Sequence, residues 1–104
     1  MKQPATLLQN RRLDLEDGFI IQIKIWRLPY VTAERPHGLK YSLFYGREGE
    51  RIIAYDNETG KGDHRHLGDR EEPYIFVTMT KMIDDFWADV SAYQRSIATD
   101  RKES

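Results

Sequence analysis

The chain has 104 residues, with 16 Lys and Arg against 17 Asp and Glu, so its net charge is −1 with His neutral. That balance excludes a bulk electrostatic field for nucleic acid and leaves only a local patch. No cysteine is present, which excludes disulfides, thiolate metal sites and cysteine nucleophiles.

Ala5 to Leu13 reads as a short strand, and the LEDG that follows as a hairpin turn. Phe19 to Leu28 (FIIQIKIWRL) carries the clearest strand pattern. Phe19, Ile21, Ile23 and Ile25 form an apolar stripe at period two, while Gln22 and Lys24 face the other way with Trp26. Pro29 and Pro36 make the next stretch a loop, because neither can donate to a ladder. Leu39 to Tyr45 alternates again, GREGE is a turn, and Arg51 to Tyr55 is the following strand. Short links between such strands predict an antiparallel meander.

EEPYIF is a short extended piece, after which the period changes. Ile83, Phe86, Trp87, Val90, Tyr93 and Ile97 line one face of an amphipathic helix. Thr78 or Thr80 suits its N-cap, Asp84 and Asp85 lie in or near its first turn, and Arg95 lies towards the other end. The expected fold class is α+β: an antiparallel β-meander of four to five strands with one C-terminal amphipathic helix packed on the sheet. Trp26, Tyr41, Phe44, Phe86 and Trp87 are expected to pack in the core rather than to form a base-stacking platform.

A length of 104 residues suits a single domain spanning 1–104. The ordered core is expected at about residues 5–98, with the first few residues and the tail 99–104 flexible. No apolar run reaches the length of a signal peptide or a membrane span, so a soluble, cytoplasmic protein is expected.

The segments IKIWRLP (23–29), HGLKYSLFY (37–45), YDNETGKGDHRH (55–66), GDREEPYIF (68–76) and DFWADV (85–90) stand in an order and at a spacing that resemble the TumE-like toxins of toxin–antitoxin pairs. The likeness covers Ala5 to Val90, and Lys-Gly-Asp-His-Arg-His is its most specific part. The resemblance implies a toxin encoded beside a helix-turn-helix antitoxin and held in complex with it.

The stretch Tyr55 to Asp69 concentrates chemistry. In an extended Asp63–His66, His64 and His66 point to one face and Asp63 and Arg65 to the other. Two residues along a strand span roughly 6.6 Å, so both imidazoles could flank one phosphate. Cleavage of RNA by 2′-hydroxyl attack needs a base, an acid and positive charge on the phosphoryl oxygens. His64 and His66 could supply the first two, and Lys61 or Arg65 the third, sharing the site only if the backbone is bent. Gly60 and Gly62 would let backbone N–H groups approach the phosphate. Asp63, Tyr55 at the rim and His37 from the proline loop are further substrate-binding candidates, and Asp56 could orient a His. No metal or other cofactor is required for this chemistry. A metal on His64 and His66 with Asp56, Asp63 or His37 ranks lower, because Lys61 and Arg65 would oppose a dication. Ordinary turn chemistry also explains Asp56 to Gly60.

The leading expectation is therefore a toxin acting on RNA as a metal-independent endoribonuclease. The alternatives are a non-enzymatic module that docks an antitoxin or sequesters a target, and a transferase holding a small nucleotide at Gly60–Gly62. A homodimer is compatible with either the leading reading or a docking module.

Overall fold

The computed structural model describes residues 4–58 and 60–103, with side chains through Thr99. The expected flexible start falls on residues 1–3, which lie outside the described residues. The chain runs through strands β1 (Thr6–Asp14), β2 (Ile20–Arg27), β3 (Leu39–Arg47), β4 (Glu50–Asp56), β5 (His64–Leu67) and β6 (Arg70–Pro73) into helix α1 (Met79–Glu103). The strands form one sheet in the order β1-β2-β3-β4-β5-β6, and every neighbouring pair is antiparallel.

The sheet thus has six strands rather than four to five. The additional pairing is the β5–β6 hairpin, whose residues are too polar to announce a buried face. Gly68, at φ 64°, opens its two-residue turn in a conformation that other residues resist. The LEDG turn behaves similarly, with Asp17 at φ 62° and Gly18 at φ 79°.

The apolar stripe lies under α1. Ile21, Ile23 and Ile25 join Tyr41, Leu43, Tyr45, Ile53 and Tyr55 from the same sheet face, against Met82, Phe86 and Val90 of the helix. Each large side chain buried this way contributes roughly 1.5–3 kcal/mol. A bulge between β3 and β4 leaves Ile52 as an extra residue and lets both Ile52 and Ile53 be buried. Gly46 is required there: a Cβ would sit 2.2 Å from the Glu50 carbonyl oxygen and 2.9 Å from Phe44 Cζ.

Of the two proposed caps, Thr78 is the one used, its Oγ1 accepting a hydrogen bond from Lys81 N at 3.0 Å. The acidic pair begins one turn later than expected, since no acid falls in the first turn of α1. Asp85 instead accepts from Tyr74 Oη at 2.6 Å and from Lys81 Nζ at 3.0 Å. The Tyr74 hydroxyl above all, helped by Lys81, holds the Asp85 carboxyl below the usual range against the opposing effect of burial. No helix is long and apolar enough to cross a membrane.

Candidate functional site

Two loops converge to set the site: the proline loop before β3 and the glycine loop between β4 and β5. Arg35 Nη2 donates to the Asn57 carbonyl at 2.7 Å, and Gly60 N–H donates to the Glu34 carboxylate. Asn57 is buried and fills the end of the ladder. Its Oδ1 accepts from Tyr41 N at 3.1 Å and its Nδ2 donates to Leu39 O at 2.8 Å. A side-chain amide here replaces the strand pairing that β4 no longer supplies.

His37 and Asp63 form the other clasp. The His37 Nδ1 accepts from Leu39 N at 3.1 Å, which leaves Nε2 to donate to Asp63 at 2.9 Å. Tyr41 Oη donates to the same carboxylate at 2.5 Å. Burial first, then this hydrogen bond, push the Tyr41 hydroxyl far above its ordinary pKa, so it remains a donor. His37 also packs on Phe76, with ring centroids 4.1 Å apart. Both of its ring nitrogens are therefore used in holding the loops.

Strand β5 is extended, so its side chains alternate. His64 pairs across the ladder with Asp56 and His66 with Ala54, while Arg65 pairs with Tyr55. His64 and His66 consequently stand on the face away from α1, and Arg65 on the face under it. Arg65 Nε donates to Glu72 at 2.6 Å, and its Nη1 donates to Tyr55 Oη and Asp89 at 3.2 Å each. Tyr55 is fully buried and donates to the Asp89 carboxylate. Burial, then that carboxylate, push its hydroxyl well above the ordinary value.

The structure thus brings together His64, His66 and Asp56. Lys61 is exposed on the glycine loop and lines a shallow groove with Asp63, His64, Glu71, Glu72 and Pro73. Arg65, Tyr55, Asp63 and His37 do not face the His pair; their polar groups are committed under or beside the helix. The Gly60 N–H is likewise committed, to Glu34. A second groove, lined by Lys40, Tyr41, Ser42, Asp56 and Glu58, reaches the trio from the other side. A further groove, lined by Arg65, Tyr74, Asp85 and Asp89 among others, has its charged groups already paired.

Within the trio the imidazole rings are 5.1 Å apart and edge to face, and the two histidines are only 5% and 6% exposed. His64 Nδ1 faces the Gly62 carbonyl at 3.0 Å, and its Nε2 lies 2.6 Å from Asp56 Oδ1. An imidazolium can donate to both oxygens; a neutral ring can donate to one. The geometry at Asp56 Oδ1 is that of a charge contact more than a directed hydrogen bond, since no well-aligned donor reaches this buried atom. His66 differs: burial, reinforced by the positive charge of Arg51, holds its pKa below the usual histidine value against weaker pulls from Glu71 and Asp56.

Asp56, His64 and His66 each offer an atom within 4.8 Å of the other two, a set that could take a divalent metal with a position left open. The objection from Arg65 falls, because its charge is on the other face. Against a metal stands the direct Asp56–His64 contact. Two donors bound to a tetrahedral ion at about 2.0–2.1 Å stand about 3.3 Å apart, so a metal would have to part them.

Sequence reading weighed Asp56 mainly as a turn residue and gave no site role to Ser42, Glu71 or Arg51. The available signal for Ser42 was the alternation of Leu39 to Tyr45, whose second face leads across the sheet to Asp56 and His64.

The family model described as Toxin TumE matches residues 4–94. No curated protein and no solved structure gives a significant match.

Proposed function

The chain belongs to the TumE toxin family, and on that premise we propose that it acts on RNA as a metal-independent endoribonuclease with His64 and His66 as its acid–base pair. Membership of a toxin family implies an antitoxin partner; we take it to be a helix-turn-helix protein. The observation that carries the reading is the pair of imidazoles on one sheet face in unlike surroundings, His64 against a carboxylate and His66 beside a cation. A histidine whose proton affinity is lowered suits the role of base.

In the proposed step, neutral His66 takes the proton from a ribose 2′-hydroxyl. That oxygen forms a bond to phosphorus, and the bond from phosphorus to the 5′-oxygen breaks. His64, once its Nε2 parts from Asp56 Oδ1, gives the proton of that nitrogen to the departing oxygen. The products are a 2′,3′-cyclic phosphate and a free 5′-hydroxyl. Lys61, mobile in reach by its long stem, is placed to meet phosphoryl charge at the groove beside His64.

The test is to incubate the purified chain, freed of its antitoxin, with RNA in EDTA and to identify the new ends. Cyclic phosphate ends, abolished by His66→Gln and by a 2′-deoxy at the scissile position, support the reading. RNA that stays intact with and without added divalent metal overturns it. Cleavage only with metal removes the metal-independent mechanism and turns attention to the Asp56–His64–His66 triangle as a metal centre. The exposed Tyr30, Val31, Ile75 and Val77 favour a second reading, a docking module. Full toxicity of a His64→Ala, His66→Ala double variant would select that one.

A further inference from the structure

We propose that the sheet face away from α1 is a track for single-stranded RNA leading to the His pair, with Lys24 and Lys40 holding phosphates and Trp26 and Phe44 stacking bases. The proposal rests on the endoribonuclease reading for its substrate and adds where and how that substrate lies.

The ladder places these residues on one surface. Lys24 of β2 is opposite Ser42 of β3, Ser42 is opposite Asp56 of β4, and Asp56 is opposite His64 of β5. These four make one row straight across the sheet. The adjacent row on one side runs Gln22, Phe44, Ala54, His66, and on the other side Trp26 is opposite Lys40. At a strand spacing of about 4.8 Å, Lys24 stands about 14 Å from His64, a few nucleotides of single strand.

Two observations separate this face from an ordinary solvated one. Nine other aromatic side chains, Tyr55 and Phe86 among them, belong to the core cluster or pack against it; Trp26 and Phe44 do neither. Nor does either make a ring contact among the described residues. Yet both are only half exposed, and Phe44 runs along Gly46 where a Cβ would strike its ring. Flat aromatic faces on a sheet are what sequence-tolerant stacking uses.

The second observation is charge. Arg12, opposite Gln22 on this face, and Arg47 and Lys81 are paired with nearby carboxylates, while Arg11, Arg27, Lys61 and Arg95 are exposed and in no ion pair among the described residues. No ion pair among the described residues involves Lys24, Lys40 or Arg51. In a chain of net charge −1, three uncommitted cations on one face make the local patch that a polyanion needs. Of the acids at that face, Asp56 and Glu71 bear on His64, Asp56 and Glu58 also line a groove with Lys40, and Asp14 pairs with Arg12.

The binding test uses fluorescence anisotropy with an uncleavable 2′-O-methyl single strand, and with the matching duplex, at several salt concentrations. The wild-type chain is expected to bind the single strand more tightly. Lys24→Glu with Lys40→Glu should lower the salt slope by about 1.4, at about 0.7 per lost phosphate contact. Trp26→Ala should weaken binding about tenfold, the cost of a lost base stack, and Trp26→Phe should restore most of it. Thermal unfolding of each variant guards against loss of fold. Equal binding by wild type and by the folded Lys24→Glu, Lys40→Glu variant overturns the track, as does preference for the duplex. Absence of RNA binding at low salt also overturns it and leaves the face to an acidic protein surface. Tight binding without any cleavage supports the track while removing the nuclease reading, so the two fail separately.

Discussion

The two faces of this sheet come from the same strands and the same alternation, but they do different things. Under α1 the polar groups are spent on each other: Tyr55, Arg65, Glu72 and Asp89 form one closed set, and His37, Tyr41 and Asp63 another. Across the sheet, His66 makes no side-chain hydrogen bond among the described residues, Lys24 and Lys40 have no counter-ion, and two aromatic rings have no partner. Committed polar groups stabilise; uncommitted ones are available to a ligand. A single residue step along β5 decides which fate a side chain meets.

The contrast can be broken most forcefully at the aromatic pair Phe86 and Phe44. Phe86→Ala should cost about 3–5 kcal/mol by denaturant unfolding, because it empties a fully buried site. Phe44→Ala should cost about 1 kcal/mol or less, since it leaves a surface, and should weaken RNA binding. Comparable destabilisation by both would show that the open face is a second core. Next in size are the closed polar sets. Arg65→Ala removes the donor shared by Glu72, Asp89 and the Tyr55 hydroxyl, leaving only the Tyr55–Asp89 hydrogen bond, and should cost about 1–3 kcal/mol with RNA cleavage per folded molecule unchanged. Loss of activity at full stability would return Arg65 to the chemistry. Thr78→Ala should cost about 1 kcal/mol by removing the N-cap of α1, with no effect on the open face.

The smallest expected effect is in pH dependence. His66 binds its proton more weakly when folded than the ordinary value of 6.5. Below that pH the unfolded chain takes up more protons, so stability falls as pH drops through 6.5 towards the lower folded value. Asp85 acts in the same direction further down, losing its contribution as pH falls below 3.8. Denaturant midpoints measured across pH 7 to 5 should decline for wild type and stay flatter for His66→Gln.

The apolar stripe of β2, the change of period at α1 and a threonine cap at 78 or 80 are short-range patterns, and all were legible in the chain. So was the alternation that sets His64 and His66 side by side, because a strand's period of two is a local property. A solvated hairpin at residues 62–69 could be read too, but the extension of the sheet to six strands by β5 and β6 was not legible, since polar residues paired at a sheet edge carry no hydrophobic signature. Nor was the placement of Trp26 and Phe44 outside the core: an aromatic residue announces that it will bury area, but not against which layer.

By itself, then, the sequence determined that this protein would be a meander with one amphipathic helix, and that its histidines would share a face. Only the tertiary structure decided which face the helix covers. That choice depends on register across six strands and on two loops clasped by Arg35, Glu34 and His37 to residues more than 20 positions away. Such contacts are made between parts of the chain that no local window contains. They turn Arg65, Tyr55 and Asp63 into structure, and leave His64, His66 and Asp56 together on the opposite face, the two histidines 5% and 6% exposed.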